Sequence, residues 1–187
     1  MDRKEIQEQR MKGYFLQAAK EMIKGEGLKS ISVRNLADRA GYSYATLYNY
    51  FKDLKDLVFL CVKDFQEECR RQVENTSKKA ERGLPKIREI VKSYANFYVQ
   101  YPGIFELFFI ERLNDLGGKQ PVTEMIYSFL TRLCADEWAY CIAEDIVSAE
   151  DAEKLKKELN YSVHGLLLFY INRRQPPAYE QFTADLE

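Results

Sequence analysis

Histidine, glycine and proline are scarce in this chain, and their scarcity excludes several classes of protein. One histidine, His164, in 187 residues leaves little for acid–base chemistry. No CxxC, HExxH or GxSxG pattern occurs, and Gly117-Gly118 lacks the surroundings of a nucleotide-binding loop. An enzyme is therefore not expected, and neither a metal nor a cofactor is predicted. A run of 18 apolar residues is also lacking, which excludes a membrane-spanning helix.

The cysteines are few and scattered, at Cys61, Cys69, Cys134 and Cys141. Their spacing does not suit a structural zinc site. Without a signal peptide before them, we expect reduced thiols and a cytoplasmic location. The seven-residue spacing of Cys134 and Cys141 predicts that they pack as small apolar side chains on helices.

Only nine glycines and five prolines interrupt the chain, and strand-like alternation is absent. The fold class predicted is all-α, with about nine helices. On α-helical periodicity, Ile6, Tyr14, Ala18 and Met22 share one side of the first helix. The predicted helices cover about 4–24, two short segments within 32–51, 53–75, 85–101, 104–113, 121–146 and 149–173, and the last ten residues form a tail or short cap. Breaks are expected at 25–27, 83–85, 102–103 and 116–118.

Residues 30–58 predict a helix-turn-helix. Ser32 and Ser43 are N-cap residues, and Gly41 stands where the chain must turn. Leu47 and Phe51 follow at i, i+4 and are expected to be buried, which leaves the other side chains of the second helix outside. These outer residues are Tyr44, Ala45, Thr46, Tyr48, Asn49 and Tyr50. Such a tyrosine-rich outer face favours a binding partner, although a compact three-helix subdomain with a polar second helix is an alternative.

Charge is divided unevenly along the chain. Residues 1–52 hold ten Lys/Arg against six Asp/Glu, a net charge of +4, whereas the remainder holds 18 against 23, a net charge of −5. A basic segment joined to an acidic one is typical of a DNA-facing head on an acidic body.

The segment ATLYNYFKDLKDLV, preceded by LADRAGYS, resembles the recognition helix and following helix start of TetR-family transcriptional regulators. The resemblance is strong over about residues 8–60 and rests on length and helical pattern beyond them. Two positions depart from the family pattern. Leu54 stands where many members carry lysine, and Tyr42 stands where a small aliphatic residue is commoner.

The resemblance implies a helix-turn-helix DNA-binding domain over 1–52 and a ligand-binding and dimerisation domain over 53–187. In such a domain the second helix enters the major groove of double-stranded operator DNA. Tyr44, Ala45, Thr46 and Asn49 are placed for base edges, whereas Tyr48 and Lys52 match family positions at phosphates. The DNA-binding residues predicted are Ser32, Arg34, Tyr44, Ala45, Thr46, Tyr48, Asn49, Tyr50 and Lys52.

The body is rich in aromatic side chains, which either form a plain core or line a pocket for a small-molecule effector. The ligand-binding residues predicted are Phe65, Tyr94, Phe97, Tyr98, Phe105, Phe108, Tyr127, Trp138, Tyr161 and His164. A satisfied core histidine is the alternative for His164. The helices around 121–146 and 149–173 are expected to pair in a homodimer, with a self-sufficient monomeric bundle as the alternative.

The predicted function is that of a sequence-specific DNA-binding transcriptional regulator. Its expected mode is repression at a pseudo-palindromic operator, with release by an apolar or amphipathic effector that the sequence does not name. The alternative is a DNA-binding protein of the same fold that has no small-molecule ligand. It would be controlled by a protein partner or act in chromosome organisation. No membrane partner is expected.

Overall fold

Helices make up all the regular secondary structure in the part of the chain that the structure, a computed structural model, describes: residues 2–110, 120–172 and 175–187. The all-α prediction is confirmed. Short 3₁₀ and π-helical turns occupy Leu28–Ser30 and Glu106–Ile110. The α-helices are α1 (Arg3–Glu26), α2 (Val33–Ala40), α3 (Tyr44–Tyr48), α4 (Leu54–Ser77), α5 (Leu84–Gln100), α6 (Pro102–Phe105), α7 (Gln120–Tyr127), α8 (Phe129–Leu133), α9 (Ala135–Ala143), α10 (Ala149–Ile171) and α11 (Tyr179–Ala184).

The first of two compact units comprises Met1–Gln66 and Tyr101–Thr123. Phe15 of α1 lies at its centre, with its ring edge-on to that of Phe51 at 6.2 Å between centroids. Ile6 and Tyr14, predicted on the side of Ala18 and Met22, are instead exposed. The reason is that the neighbouring Phe15, which has no hydroxyl, points into the core, and this leaves Tyr14 on the outer side of α1.

Close backbone packing joins two helices of this unit. Gly103 of α6 lies so near the C-terminal turn of α1 that a Cβ atom at position 103 would overlap the Ile23 carbonyl oxygen. Lys20 of α1 also pairs with Asp64 of α4 at 3.2 Å. These contacts hold α1 against α4 and α6.

The second unit comprises Glu67–Gln100 and Glu124–Glu187. Helix α5 packs against α9 and α10, and large apolar and aromatic side chains of these helices are buried. This core contains Tyr94, Phe97, Tyr98, Trp138 and Leu167, each at most 4% exposed. Burial of such large side chains is the main stabilising contribution in a helical bundle.

The single helix predicted over 121–146 is present as three, α7 to α9, so the described residues contain more α-helices than the nine predicted. Between α7 and α8, two side chains donate to backbone carbonyl groups of α7. Ser128 Oγ donates to the Glu124 carbonyl at 2.8 Å, and the Arg132 guanidinium donates to the Met125 carbonyl at 2.9 Å. Such side-chain bonds disturb the regular i→i−4 ladder. The expected helix end at 113 and the break at 116–118 lie outside the described residues.

The end of the chain forms a short cap, one of the two predicted possibilities. Helix α11 places Phe182 in a fully buried position, where its ring stacks on Tyr170 at 4.2 Å between centroids. The Tyr179 hydroxyl donates to Asn96 Oδ1 of α5 at 2.9 Å. These contacts tie α11 to both α5 and α10.

Candidate nucleic-acid interface

Two capped helices form the predicted helix-turn-helix. The Ser32 hydroxyl accepts from the Asn35 amide at 3.1 Å, and the Ser43 hydroxyl accepts from the Thr46 amide at 3.2 Å. Between the helices, Gly41 adopts φ 77° and ψ 28°, the left-handed conformation that glycine enters without steric cost. The local signals in the sequence therefore fix both helix starts and the turn.

Burial divides the side chains of α3 and the following turn into two sets. Leu47 and Phe51 are at most 2% exposed and pack into the first unit, whereas Tyr44 is 66% exposed and Tyr48 is 53% exposed. Ala45, Asn49 and Lys52 are also exposed, with Thr46 and Tyr50 partly so. The predicted base-facing residues thus share the open side of this segment.

Asn49 lies just past the last helical residue of α3, because the regular helix covers only Tyr44–Tyr48. Its backbone keeps the right-handed helical conformation, with φ −71° and ψ −20°, and its amide donates to the Thr46 carbonyl. The side chain therefore continues the exposed face of the helix. Ser32 is committed to capping α2, so its hydroxyl already has a backbone partner.

Two exposed cations flank this surface. Arg34 lies on α2 and Lys52 lies just before α4, and neither forms an ion pair with any described residue. By contrast, Arg39 pairs with Glu26 at 3.2 Å. Arg34 and Lys52 are thus available to a phosphate without the loss of an existing carboxylate partner.

Asp53 begins the next helix as predicted. Its carboxylate accepts from the Asp56 amide at 2.8 Å, which satisfies an amide of the first turn of α4. Helix α4 contributes residues up to Gln66 to the first unit and those from Glu67 onward to the second.

An aromatic pair that the sequence did not single out as a site lies beside α3. The rings of Tyr14 and Tyr42 stack at 6.1 Å with an interplanar angle of 27°, and Phe15 lies 5.7 Å from Tyr42 on the buried side. The departure of Tyr42 from the family pattern was the one signal in the sequence that pointed to this pair.

The predicted ligand-binding residues are divided between the units. Phe65, Phe105 and Phe108 belong to the first, and the other seven belong to the second. Tyr127 and Tyr161 are more than half exposed, with their hydroxyls 3.1 Å apart, whereas Trp138 is buried. The proposed pocket residues thus do not all surround one described cavity.

A chain of hydrogen bonds runs through the aromatic core of the second unit. His164 Nδ1 lies 2.6 Å from the Asn160 carbonyl, which accepts, so Nε2 is left to accept from the Tyr94 hydroxyl at 2.8 Å. His164 is thereby satisfied within the core. The Tyr98 ring lies edge-on to that of Tyr94, with 4.9 Å between the ring centroids.

Burial sets the charge states of Tyr94, Tyr98 and His164. It raises the pKa of Tyr94 and Tyr98 well above 10 and lowers that of His164, with the Asn160 carbonyl opposing the last shift. All three groups are therefore neutral at pH 7. Beside them, the side-chain oxygens of Asn160 and Ser93 are buried without a hydrogen-bond partner among the described residues.

A cleft of about 360 Å³ opens elsewhere in the second unit, between α4, α5, α8 and α9. Its rim is charged, with Arg70, Lys78, Lys86 and Arg132 facing Glu74, Asp136 and Glu137. None of the predicted ligand-binding residues lines it. In the described ranges, no group of three or more acidic, histidine or cysteine side chains is arranged to hold a metal ion. No described helix is long and apolar enough to cross a membrane.

Comparison with known proteins agrees with this geometry. Residues 15–60 match the family model of bacterial regulatory proteins, tetR family. No curated protein matches the sequence.

Solved structures share the fold at low sequence identity. A TetR family transcription regulator from Marinobacter aquaeolei VT8 is 15% identical with a TM-score of 0.66, over 99% of this chain and 95% of that one. A putative TetR-family regulator from Syntrophomonas wolfei is 13% identical with a TM-score of 0.71, over 95% and 91%. The transcriptional regulator FadR from Bacillus subtilis, in complex with stearoyl-CoA, is 15% identical with a TM-score of 0.71, over 92% and 94%.

The family match covers the helices that carry the exposed tyrosines, Asn49 and the flanking cations. The rest of the described chain follows the helical fold of regulators in that family. Residues 15–60 therefore carry a helix-turn-helix segment that matches the N-terminal region of bacterial regulatory proteins of the tetR family, and the chain shares its fold with solved structures of regulators of that family.

Proposed function

We propose that this protein is a repressor that binds a pseudo-palindromic operator as a homodimer and leaves it when a small effector binds. The observation that carries the DNA-binding part is the open face of α3, where Tyr44, Ala45 and Asn49 are exposed while Leu47 and Phe51 hold the helix in the core. The operator lies near the protein's own gene or a neighbouring one, and the bound dimer blocks polymerase.

The side chains of the interface have separate roles in this proposal. Asn49 pairs with an adenine edge, and Ala45 and the Thr46 methyl group contact thymine methyl groups. Tyr48 and Lys52 bind phosphates and so set the register of the protein on the duplex, and Arg34 contacts base or backbone. Tyr44 reads bases at the start of α3, and Tyr50 contacts base or backbone.

A duplex selected by the wild-type protein from a random-sequence library tests these roles. Asn49→Ala or Tyr44→Ala should weaken binding by about 1–3 kcal/mol and relax the preference at one position. Lys52→Ala should weaken binding to all DNA sequences alike. It should also reduce the slope of the logarithm of the binding constant against the logarithm of salt concentration by about 1. If Lys52→Ala changed the base preference while Asn49→Ala did not, the assigned roles would be reversed.

An apolar or amphipathic effector in the helical body is the second part of the proposal. FadR, which shares the fold, holds stearoyl-CoA, and the buried oxygens of Asn160 and Ser93 offer acceptors beside an aromatic core. The effector lowers DNA affinity by preferring the form of the dimer that does not fit the operator, with a coupling free energy of about 1–3 kcal/mol.

A panel of acyl-CoA thioesters and apolar drugs tests the effector part. At least one compound should raise the melting temperature and release the selected duplex. A panel that changes neither would support the alternative, in which a protein partner controls the regulator or it acts in chromosome organisation. The proposed action is regulatory and cytoplasmic, with no catalytic step.

A further inference from the structure

We propose that Tyr14 and Tyr42 form a second DNA-contacting surface, which donates hydrogen bonds to the sugar–phosphate backbone beside the bases read by α3. The inference rests on the proposed DNA-binding function and adds one residue outside the helix-turn-helix, Tyr14, and one in its turn, Tyr42. Tyr14 belongs to α1, and Tyr42 belongs to the turn between α2 and α3.

The stack fixes the position of both rings. Tyr42 follows Gly41 in its left-handed conformation and precedes Ser43, the N-cap of α3, so its backbone is set by two neighbours. Its ring lies between Tyr14 on the outside and the fully buried Phe15 on the inside. An ordered ring loses little conformational entropy when it binds a partner.

The outer edges of the two rings are open to solvent. Tyr14 is 54% exposed and Tyr42 is 37% exposed, and neither hydroxyl has a hydrogen-bond partner among the residues that the structure describes. Two large apolar rings with free donors are expected on a surface that meets a partner rich in acceptors. Tyrosine hydroxyls are among the common donors to DNA phosphates.

Sequence position and charge select duplex DNA as that partner. Tyr42 directly precedes the N-cap of the recognition helix, so a duplex seated on α3 passes its backbone close to Tyr42. The α1 residues one turn away from Tyr14 are Arg10, Met11, Gln17 and Ala18, among which there is no carboxylate. These four residues are uncharged or basic, and they lie within a segment of net charge +4.

The test replaces each phenol by a phenyl ring, which keeps the stack and removes only the hydroxyl. Tyr14→Phe and Tyr42→Phe should each weaken binding of the library-selected duplex by about 2- to 10-fold, the effect of one lost hydrogen bond. Because the hydroxyl is neutral, the salt dependence should stay at the wild-type value, unlike that of Lys52→Ala. Discrimination between the selected duplex and its single-base variants should not change.

The control is Tyr179→Phe, which removes the hydroxyl of an exposed, stacked tyrosine in the second unit. It should leave DNA affinity unaltered. Because that hydroxyl donates to Asn96 Oδ1, the melting temperature of each variant is measured beside its DNA affinity. Hydroxyl-radical footprinting should show lost protection at backbone positions flanking each half-site for Tyr14→Phe and Tyr42→Phe only. Unchanged affinity in both variants with a wild-type melting temperature would overturn the inference, and so would a changed base preference. Failure of the wild-type protein to retain any duplex would instead refute the proposed function.

Discussion

At the scale of single residues, Glu137 shows how a buried charge is accommodated in this protein. Its carboxylate accepts from the Gly83 amide at 2.9 Å, from Lys86 at 3.1 Å and from Arg82 at 3.2 Å. Burial alone raises the pKa of this group, but the Gly83 amide and the two cations outweigh burial and hold it below 4.5. The carboxylate thereby joins α9 to the turn that begins α5.

Glu137→Gln should lower the free energy of unfolding at pH 7 by about 1–2 kcal/mol, because charge-assisted hydrogen bonds become neutral ones. Chemical denaturation of both proteins at several pH values measures the difference. Since the pKa is lower in the folded protein than in the unfolded chain, the stabilisation is complete above about pH 4.5. It should disappear as the pH falls through the lowered pKa.

Glu153→Gln is the matched control, because Glu153 pairs with Lys156 at 2.6 Å on the exposed side of α10. It should cause no measurable change at neutral pH, since exposed ion pairs contribute little. A difference between Glu137→Gln and wild type that did not shrink in acid would contradict the assigned role of the charge.

At the scale of secondary-structure elements, side-chain caps decide where helices begin. Ser43 caps α3, and Ser148 caps α10 by accepting from the Asp151 amide at 3.0 Å. The two caps are chemically alike but belong to different units. They therefore offer a comparison between loss of helix stability and loss of DNA binding.

Ser43→Ala and Ser148→Ala should each cost about 1 kcal/mol of stability in thermal or chemical unfolding. Ser43→Ala should also weaken DNA binding, because α3 has only five residues and frays readily without its cap. Ser148→Ala should leave affinity for the selected duplex unchanged at a temperature where both variants are folded. Equal losses of affinity would show that global stability, rather than the geometry of α3, governs binding.

These elements also show which features the sequence could predict. The Ser32 and Ser43 hydroxyls accept from amides three residues ahead, and Gly41 turns its own backbone. These local roles were visible in the sequence and are confirmed. At the helix interruption near Ser128, the Arg132 side chain donates to the Met125 carbonyl. The hydrophobic periodicity of the sequence does not predict such a side-chain bond. The stack of Tyr14 on Tyr42 joins residues far apart in the chain and was visible only as an unusual residue at position 42.

The residues assigned to DNA and effector stay predictions, for a physical reason. Tyr44 and Asn49 are exposed, so a DNA duplex has access to them. Their exposure does not determine which base each side chain contacts. The aromatic periodicity of the body identifies buried side chains such as Tyr94 and Trp138, and a packed core has the same periodicity as a ligand pocket. The domain boundary after residue 52 likewise stays a prediction.

At the scale of the whole molecule, an exposed apolar side of α10 bears on assembly. Tyr161, Gly165 and Phe169 follow at i, i+4 and i+8, and the two aromatic residues are 62% and 51% exposed. Leu168, beside them, is 38% exposed. Glycine on such a face permits two helices to approach closely, which suits pairing with a second copy. A homodimer through α7–α10 is the expected state.

Light scattering at micromolar concentration should therefore give twice the chain mass of 22.0 kDa. Phe169→Glu should convert the protein to monomers and abolish binding to a two-half-site duplex, because a charge cannot be buried unpaired in the interface. Leu84→Glu, which places a charge on another exposed apolar residue of the same unit, should leave the dimer intact. A wild-type monomer would favour the self-sufficient bundle.

The four buried cysteines have a practical consequence for spectroscopy. Each is at most 1% exposed, and burial raises the pKa of Cys61 and Cys134 to about 12 and also raises those of Cys69 and Cys141. Native thiols of this kind react slowly with maleimides in the folded protein. A single cysteine introduced at an exposed position, such as Lys55, therefore accepts a fluorophore or spin label without removal of the native residues. In the expected homodimer, such a label would report on the distance between the two helix-turn-helix segments as ligands are added.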